Sequence, residues 1–427
     1  MTKTKILGAV FAVFAICVLA YNFNVAYNSR YDSYGDASDY LVLGLSLAKT
    51  GKYGHLNTKW NTLKEDFKQN KVVETKYTFS NHSTWRSPFW PLCIAGLFLI
   101  FGYHLVVLVI FKFVLHIIGA YLFYRILKLF NLKKIIIYSG VFLYIASPVW
   151  QLYSRVFLSE PITAFLITLW IFLLLSHLKG RSNGAFQAIV SGLIVLCHPY
   201  FIFLPISVWL MLFLRKQLSL KRAVLYSISF VIIISIWPLR NVLVLNAESF
   251  VLTTSSGAVL AKGWNRDVVE KHTNTQGDLA NEGLVLMTYP YEQETPGEVG
   301  LSKHHVNAVL YFIKTNPDQI TPIIFTKLKS AFNPFAETGK GGVLESGRVL
   351  FHLLSLIAFI ILLFSESSYV KSILLGLIFA TIGITIVTYS GFRFRSPQFP
   401  IELLAIIYAA HSICKRYVPK YVLKNAP

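Results

Sequence analysis

Three aspartates fall within one short stretch, Tyr31–Tyr53, which reads YDSYGDASDYLVLGLSLAKTGKY. Asp36 stands directly before a helix-like run, Asp39 follows three positions later, and the run stops at Gly51. An acid at a helix start with a second acid near the third position is the pattern of an N-cap, closed here by a C-terminal glycine. The two roles are compatible. A carboxylate held ionised by backbone amides still presents a lone pair outward, so it can act as a general base or a metal ligand. Asp36 is the acid expected to carry chemistry, with Asp32 and Asp39 in support.

A base of this kind works opposite cations. Arg86 lies in the run Trp85-Arg86-Ser87-Pro88-Phe89-Trp90-Pro91, where it could snorkel to a headgroup or bind a phosphate. Arg240, beside Asn241, closes an apolar block, and Arg393 and Arg395 alternate with phenylalanines in GlyPheArgPheArgSerPro. Two arginines so placed look like an anion site. Glu160 opens another apolar block before Pro161, as a helix cap or a functional carboxylate. His198 sits in a tight His198-Pro199-Tyr200 turn, a position that is more often structural. Lys112 and His116 are one helical turn apart inside an apolar block. They read either as an ion path or as partners of Glu402 from the last block.

The elements that must position these residues are membrane helices. The chain has 427 residues, 55% hydrophobic and only 14% charged, with a mean hydropathy of +0.55. A soluble protein with 33 Phe and 23 Tyr could not cover its core with so few charges. Apolar blocks of spanning length fall at about 6–26, 104–124, 135–150, 158–178, 184–199, 200–214, 222–239, 349–365, 370–389 and 398–414. That predicts about ten transmembrane helices. The block at 88–101, opened by Pro88 and Pro91, is too short to span and reads as an interfacial helix. Lys3 and Lys5 precede a long apolar run without a small-x-small cleavage site, as in an uncleaved first helix.

The formal charge is 40 − 20 = +20, but the basic residues cluster in short loops without a nucleic-acid motif. Orientation explains them. With both termini inside, loops 125–134, 177–183, 215–222, 365–371 and the tail 415–424 are cytoplasmic and nearly all rich in Lys and Arg. All acidic residues except Glu366 and Glu402 then lie outside or at the outer boundary. Cys17, Cys93, Cys197 and Cys414 lack disulfide or zinc spacing. No phosphate loop faces the cytoplasm and no internal repeat suggests a transporter. The organisation expected is a membrane module 1–239 with a catalytic outer loop 27–103, an outer loop region 240–348, and C-terminal helices with a basic tail in 349–427. Within 240–348, helical patterning at about 303–315 and 319–332, broken at Asn316-Pro317, suits a cap on the helix ends.

In order along the chain, these motifs resemble the GT-C fold glycosyltransferases that use polyprenyl-phosphate sugars, in the protein O-mannosyltransferase and lipid A aminoarabinose transferase branch. The likeness rests on Asp36 four residues before Tyr40, on Gly51-Lys52-Tyr53, on Arg86 with Pro88 and Pro91, on Glu160-Pro161, on Arg240-Asn241, and on Arg393, Arg395 and Pro397. It covers about 1–415. The chain departs from the pattern at Ala37, where many relatives carry a second acid, and at His198-Pro199, where relatives often carry a cation.

The resemblance implies an all-α polytopic membrane protein with outer-face interfacial helices and a partly helical outer loop region. It implies transfer of a sugar to a hydroxyl of a lipid, glycan or protein acceptor on the outer face of a bacterial inner membrane, with inversion. Asp36 is then the base, and Arg240, Arg393 and Arg395 meet the phosphate, with Arg86 and His198 secondary. Glu160 orients the sugar or acceptor, and Asp39, Tyr40 and Asn241 contact substrate. The resemblance makes no cofactor certain, and Asp36 and Glu160 could share a divalent metal ion. A flippase for lipid-linked sugars or an O-antigen or cell-wall glycan polymerase is the alternative. The Asn81-His82-Ser83 sequon matters only outside bacteria.

Overall fold

Apolar runs with few breakers become long helices, and prolines and glycines mark where they stop. The structure, a computed structural model, describes residues 3–181, 184–245, 250–270, 281–336, 342–365, 368–389 and 391–417. It opens with α1 (Lys3–Asn28), α2 (Asp36–Thr50), strand β1 (Gly54–Leu56), α3 (Trp60–Lys68), strand β2 (Phe79–His82) and α4 (Phe89–Phe101). The bundle continues through α5 (Leu105–Lys128), α6 (Lys134–Ile145), α7 (Pro148–Ser154), α8 (Glu160–Leu178), α9 (Ala185–Cys197), α10 (Phe203–Leu214) and α11 (Leu220–Leu245). Then come α12 (Ser255–Gly263), α13 (Asp267–Glu270), α14 (Gly297–Thr315) and α15 (Pro317–Phe332). The chain closes with α16 (Val343–Leu363), α17 (Tyr369–Val387), α18 (Phe392–Arg395) and α19 (Phe399–Tyr417).

Among the described residues, seven helical segments are long and apolar enough to cross a membrane: Gly8–Asn28, Leu105–Lys128, Lys134–Ser154, Glu160–Leu178, Leu220–Leu245, Val343–Leu363 and Tyr369–Val387. The protein is an all-α polytopic membrane protein. Three of the ten expected spans fall outside this set. Blocks 184–199 and 200–214 become α9, of 13 residues, and α10, of 12, short of the ~20 that a bilayer core requires. The cause is Pro199, which holds the preceding His198 in an extended conformation, φ −147° and ψ 98°. Block 398–414 forms α19, which carries buried Glu402 near its start and Lys415 and Arg416 at its end.

The small antiparallel ribbon, in which Gly54 faces His82, is an element the apolar patterning did not suggest. Its strands are too short to show an alternation. Helix α4 is the short apolar helix expected at 88–101. Trp90, Ile94 and Phe98 are buried, whereas Leu99, Ile100 and Phe101 are exposed. It packs along α2, as α5 does along α8 and α10 along α17.

The break at Asn316-Pro317 separates α14 from α15 where the pattern placed it. This region has a small core of its own, built from Ala261, Trp264, Val268, Val309, Phe312 and Ile323. It also caps a membrane helix. The last carbonyls of a helix have no partner within it, and Trp264 Nε1 donates to Val387 O at 2.9 Å while Lys327 Nζ donates to Ile386 O at 2.9 Å.

The same need explains two buried groups inside the bundle, and it corrects their expected pairing. Lys112 Nζ donates to Ser154 O at 2.5 Å and Val156 O at 2.8 Å, at the end of α7. His116 Nε2 lies 3.2 Å from Ile145 O, the last residue of α6, and stacks on Trp150. Glu402 instead accepts from Gln398 Nε2 at 2.6 Å and faces His352 Nδ1 at 3.4 Å. The breaks after α6 and after α7 leave carbonyls without helical partners, and these are what the two groups meet.

Candidate active site

Helix α2 begins on a backbone that only glycine takes readily. Gly35 is its N-cap, with φ 53°, and no side chain caps the amides. Asp36 is thus the first helical residue rather than the cap, and its carboxylate turns away from its own helix. Gly51 ends α2 in the left-handed conformation, φ 71°, as expected.

Both oxygens of Asp36 meet guanidiniums. Arg86 Nη2 donates to Asp36 Oδ1, and Arg393 Nη2 donates to Asp36 Oδ2 at 2.5 Å. Arg86 also holds Asp39 Oδ2, from Nε at 3.0 Å and from Nη2 at 2.8 Å. Arg393 reaches across to Glu160 Oε1 at 2.5 Å from its Nε. Glu160 is only 2% exposed, and its Oε2 has no hydrogen-bond partner among the described residues. Three carboxylates and two guanidiniums from four distant segments therefore form one chain of ion pairs: Asp39, Arg86, Asp36, Arg393, Glu160.

Burial pushes the Asp36 carboxyl up, but the Arg86 and Arg393 guanidiniums outweigh it and hold the group below its ordinary 3.8. At Asp39 burial wins over Arg86, and the carboxyl sits above 3.8. Arg86 is penalised by burial, yet Asp36, Tyr40 and Asp39 keep it above its ordinary value. Tyr40 is buried with its hydroxyl 3.3 Å from Ser159 Oγ, and burial pushes its phenol up.

Asp36, Arg86 and Arg393 of this ion-pair chain lie on the wall of a cavity of about 530 Å³. Asp36, Tyr40, Arg86, His198 and Arg393 line it, while Ile202 and Ile384 give it an apolar side. Another part of the wall comes from Leu252, Thr253 and Ser256, in a stretch that held no candidate residue in the sequence. Ser255, Val259 and Lys262, at helical spacing along α12, present one face to the cavity. Lys262 acts electrostatically on Asp36 and has Glu282 Oε2 at 3.7 Å. Sequence reasoning missed Lys262, and its spacing from Ser255 is the signal that could have found it.

The remaining expected residues sit elsewhere. Arg240 is not among the residues lining the cavity. It donates to Ser83 O at 3.2 Å, Tyr53 O at 3.1 Å and Asn241 Oδ1 at 3.1 Å, and lies over Trp237 and Tyr53. Asn241 Nδ2 donates to Val251 O at 2.9 Å. Arg395 points toward Glu402, 3.9 Å from its Oε1. Glu298, unforeseen, accepts from Thr84 N at 2.5 Å and Ser83 Oγ at 2.9 Å, fixing the segment that leads to Arg86.

The two carboxylates expected to share a divalent ion have Arg393 between them. Among the described residues, no group of three or more His, Cys, Asp or Glu side chains converges as metal ligands.

Fold and site together define an all-α polytopic membrane protein with a charged, half-apolar cavity at one end of its helices. No protein-family model matches the chain, and no curated protein matches it. Among solved structures it is similar to the archaeal oligosaccharyltransferase AglB from Archaeoglobus fulgidus in complex with an inhibitory peptide and a dolichol-phosphate. The TM-score is 0.46 at 12% identity, over 97% of this chain and 52% of that one. The chain thus spans about half the length of that protein.

Proposed function

We propose that this chain is an integral-membrane glycosyltransferase that moves a sugar from a polyprenyl-phosphate carrier to a hydroxyl acceptor. One observation carries the reading. Asp36 lies on the wall of a cavity that also holds Arg86, Arg393 and Lys262 and has an apolar side. A lipid-borne phosphodiester requires that combination of cations and apolar surface, and the acceptor hydroxyl requires a base beside it.

In the resting arrangement Arg393 is shared between Asp36 and Glu160. A phosphate entering the cavity offers the guanidinium a bidentate partner, and as Arg393 turns toward it, Asp36 Oδ2 is uncovered. The acceptor oxygen then attacks the anomeric carbon and gives its proton to Asp36. The bond between the anomeric carbon and the phosphate oxygen breaks with its electron pair leaving on the phosphate. Arg393, Arg86 and Lys262 stabilise that charge as it develops. Attack opposite the leaving group inverts the anomeric carbon. Glu160, with Oε2 still open, orients the sugar or the acceptor.

The experiment is incubation of the purified protein with a polyprenyl-phosphate sugar and a hydroxyl acceptor, followed by assay of released polyprenyl phosphate. Release supports transfer. Movement of intact donor across a vesicle membrane without release would make the protein a flippase.

A further inference from the structure

A second cavity, of about 540 Å³, lies at the other end of α5 and α8. Glu160 opens α8 and Phe172, Leu173 and Ser176 line this cavity from its later turns, so it is roughly 18–24 Å from the ion-pair chain at 1.5 Å per residue. Arg125 and Lys128 line it from the last turn of α5, and Arg181 lines it from beyond α8. Tyr121, Tyr124 and Phe172 complete the ring. Arg125 Nη1 donates to Tyr121 Oη at 2.9 Å and its guanidinium lies 5.7 Å from the Phe172 ring centre, while Lys128 Nζ lies 5.4 Å from that of Tyr124. No carboxylate lines the cavity, and among the described residues none of the three cations is ion-paired.

Two cations in the last turn of a helix also complement its dipole. That accounts for Arg125 and Lys128 but not for Arg181, which comes from a different segment and converges on the same space. We propose that this cavity is a binding site for the phosphate headgroup of an anionic phospholipid. The occupant is a lipid rather than a soluble anion because of what leads into the cavity. Val114, Ile117, Ile118 and Tyr121 are exposed along one stripe of α5, at helical spacing, and the stripe ends at Arg125. Acyl chains can follow that stripe while the phosphate meets the guanidiniums and the rings flank the interface. The site stands independently of the sugar chemistry at the far end.

The test uses the purified full chain in detergent, with bound lipid counted by native mass spectrometry during titration with phosphatidylglycerol or phosphatidylcholine. The wild type is expected to retain phosphatidylglycerol preferentially. The double variant Arg125→Gln/Arg181→Gln should lose roughly tenfold or more of that preference, and Arg125→Lys/Arg181→Lys should keep most of it. Lys128→Ala, at an exposed position, gives the same reading should the double variant fail to assemble. Equal retention of both lipids by the wild type overturns the proposal, as does unchanged preference in the glutamine variant. Displacement of phosphatidylglycerol by equimolar inorganic phosphate would also overturn it, in favour of a soluble anion.

Discussion

Arg393 donates from Nη2 to Asp36 Oδ2 at 2.5 Å, joining positions 357 residues apart. The contact brings the turn before the last helix onto the first residue of α2. Its strength depends on surroundings that leave Asp36 and Arg393 side chains only 24% and 18% exposed. In such a setting a charge is stabilised by its partner and is costly when left alone.

Asp36→Asn keeps the side-chain volume and removes the charge. Transfer is expected to fall by roughly 10²–10⁴-fold, the usual worth of a general base, while the protein still inserts and purifies as a monodisperse species. Activity within a few-fold of wild type would remove Asp36 from the base role.

Arg393 and Arg240 are expected to separate cleanly. Arg393→Ala leaves buried Glu160 uncompensated and takes one of the two guanidiniums from Asp36, and should destabilise the protein by roughly 3 kcal/mol. Arg393→Lys, which keeps charge but not the two-armed reach, should instead raise the KM for donor more than that for acceptor. Arg240→Ala breaks contacts to Ser83, Tyr53 and Asn241 and should lower the melting temperature. It should have no selective effect on donor. Donor and acceptor titrations of the purified variants check this.

The pH dependence follows from the two aspartates. Asp36 lies below 3.8 when folded, so its contribution to stability is complete above the unfolded value and is lost as pH falls through the lower folded one. Asp39 lies above 3.8 and has the opposite sign, taking up a proton on the folded chain first. The difference in melting temperature between wild type and Asp36→Asn should therefore be constant above about pH 5 and shrink only below about pH 4. Transfer should show no acid limb from Asp36 between about pH 8 and pH 5. A limb near neutrality that disappears in Asp36→Asn would contradict the ion-paired arrangement.

Glu298→Ala frees the amide of Thr84 and the hydroxyl of Ser83, and charge-assisted bonds of this kind are worth about 1.5–3 kcal/mol. Because these residues lead directly to Arg86, donor affinity should fall together with stability. Glu298→Gln should recover part of both, as read by thermal unfolding and donor titration.

Chelation tests the alternative use of Asp36 and Glu160. With Arg393 between the two carboxylates, transfer is expected to survive dialysis against EDTA. Loss on dialysis and recovery with a divalent salt would show that Arg393 gives way to a metal.

The sequence by itself determined what depends on neighbours along the chain. Apolar blocks fell on helices, Gly51 stopped α2, Asn316-Pro317 divided α14 from α15, and Asp36 opened a helix. Propensity, periodicity and breakers act within a few residues, so they can be read in order. The sequence also collected the charged residues of interest, because a charge beside an apolar block is conspicuous. What it did not determine was their pairing. Of three arginine motifs, it ranked Arg240 and Arg395 with Arg393 and put Arg86 second. It offered Glu402 to Lys112 and His116, which cap carbonyls at the ends of α6 and α7 instead. It passed over Lys262 and Glu298. Those choices rest on which helix ends meet in space and which buried groups remain unsatisfied there. An ion pair between residues 36 and 393 leaves no local pattern, and only the packed bundle brings the two together.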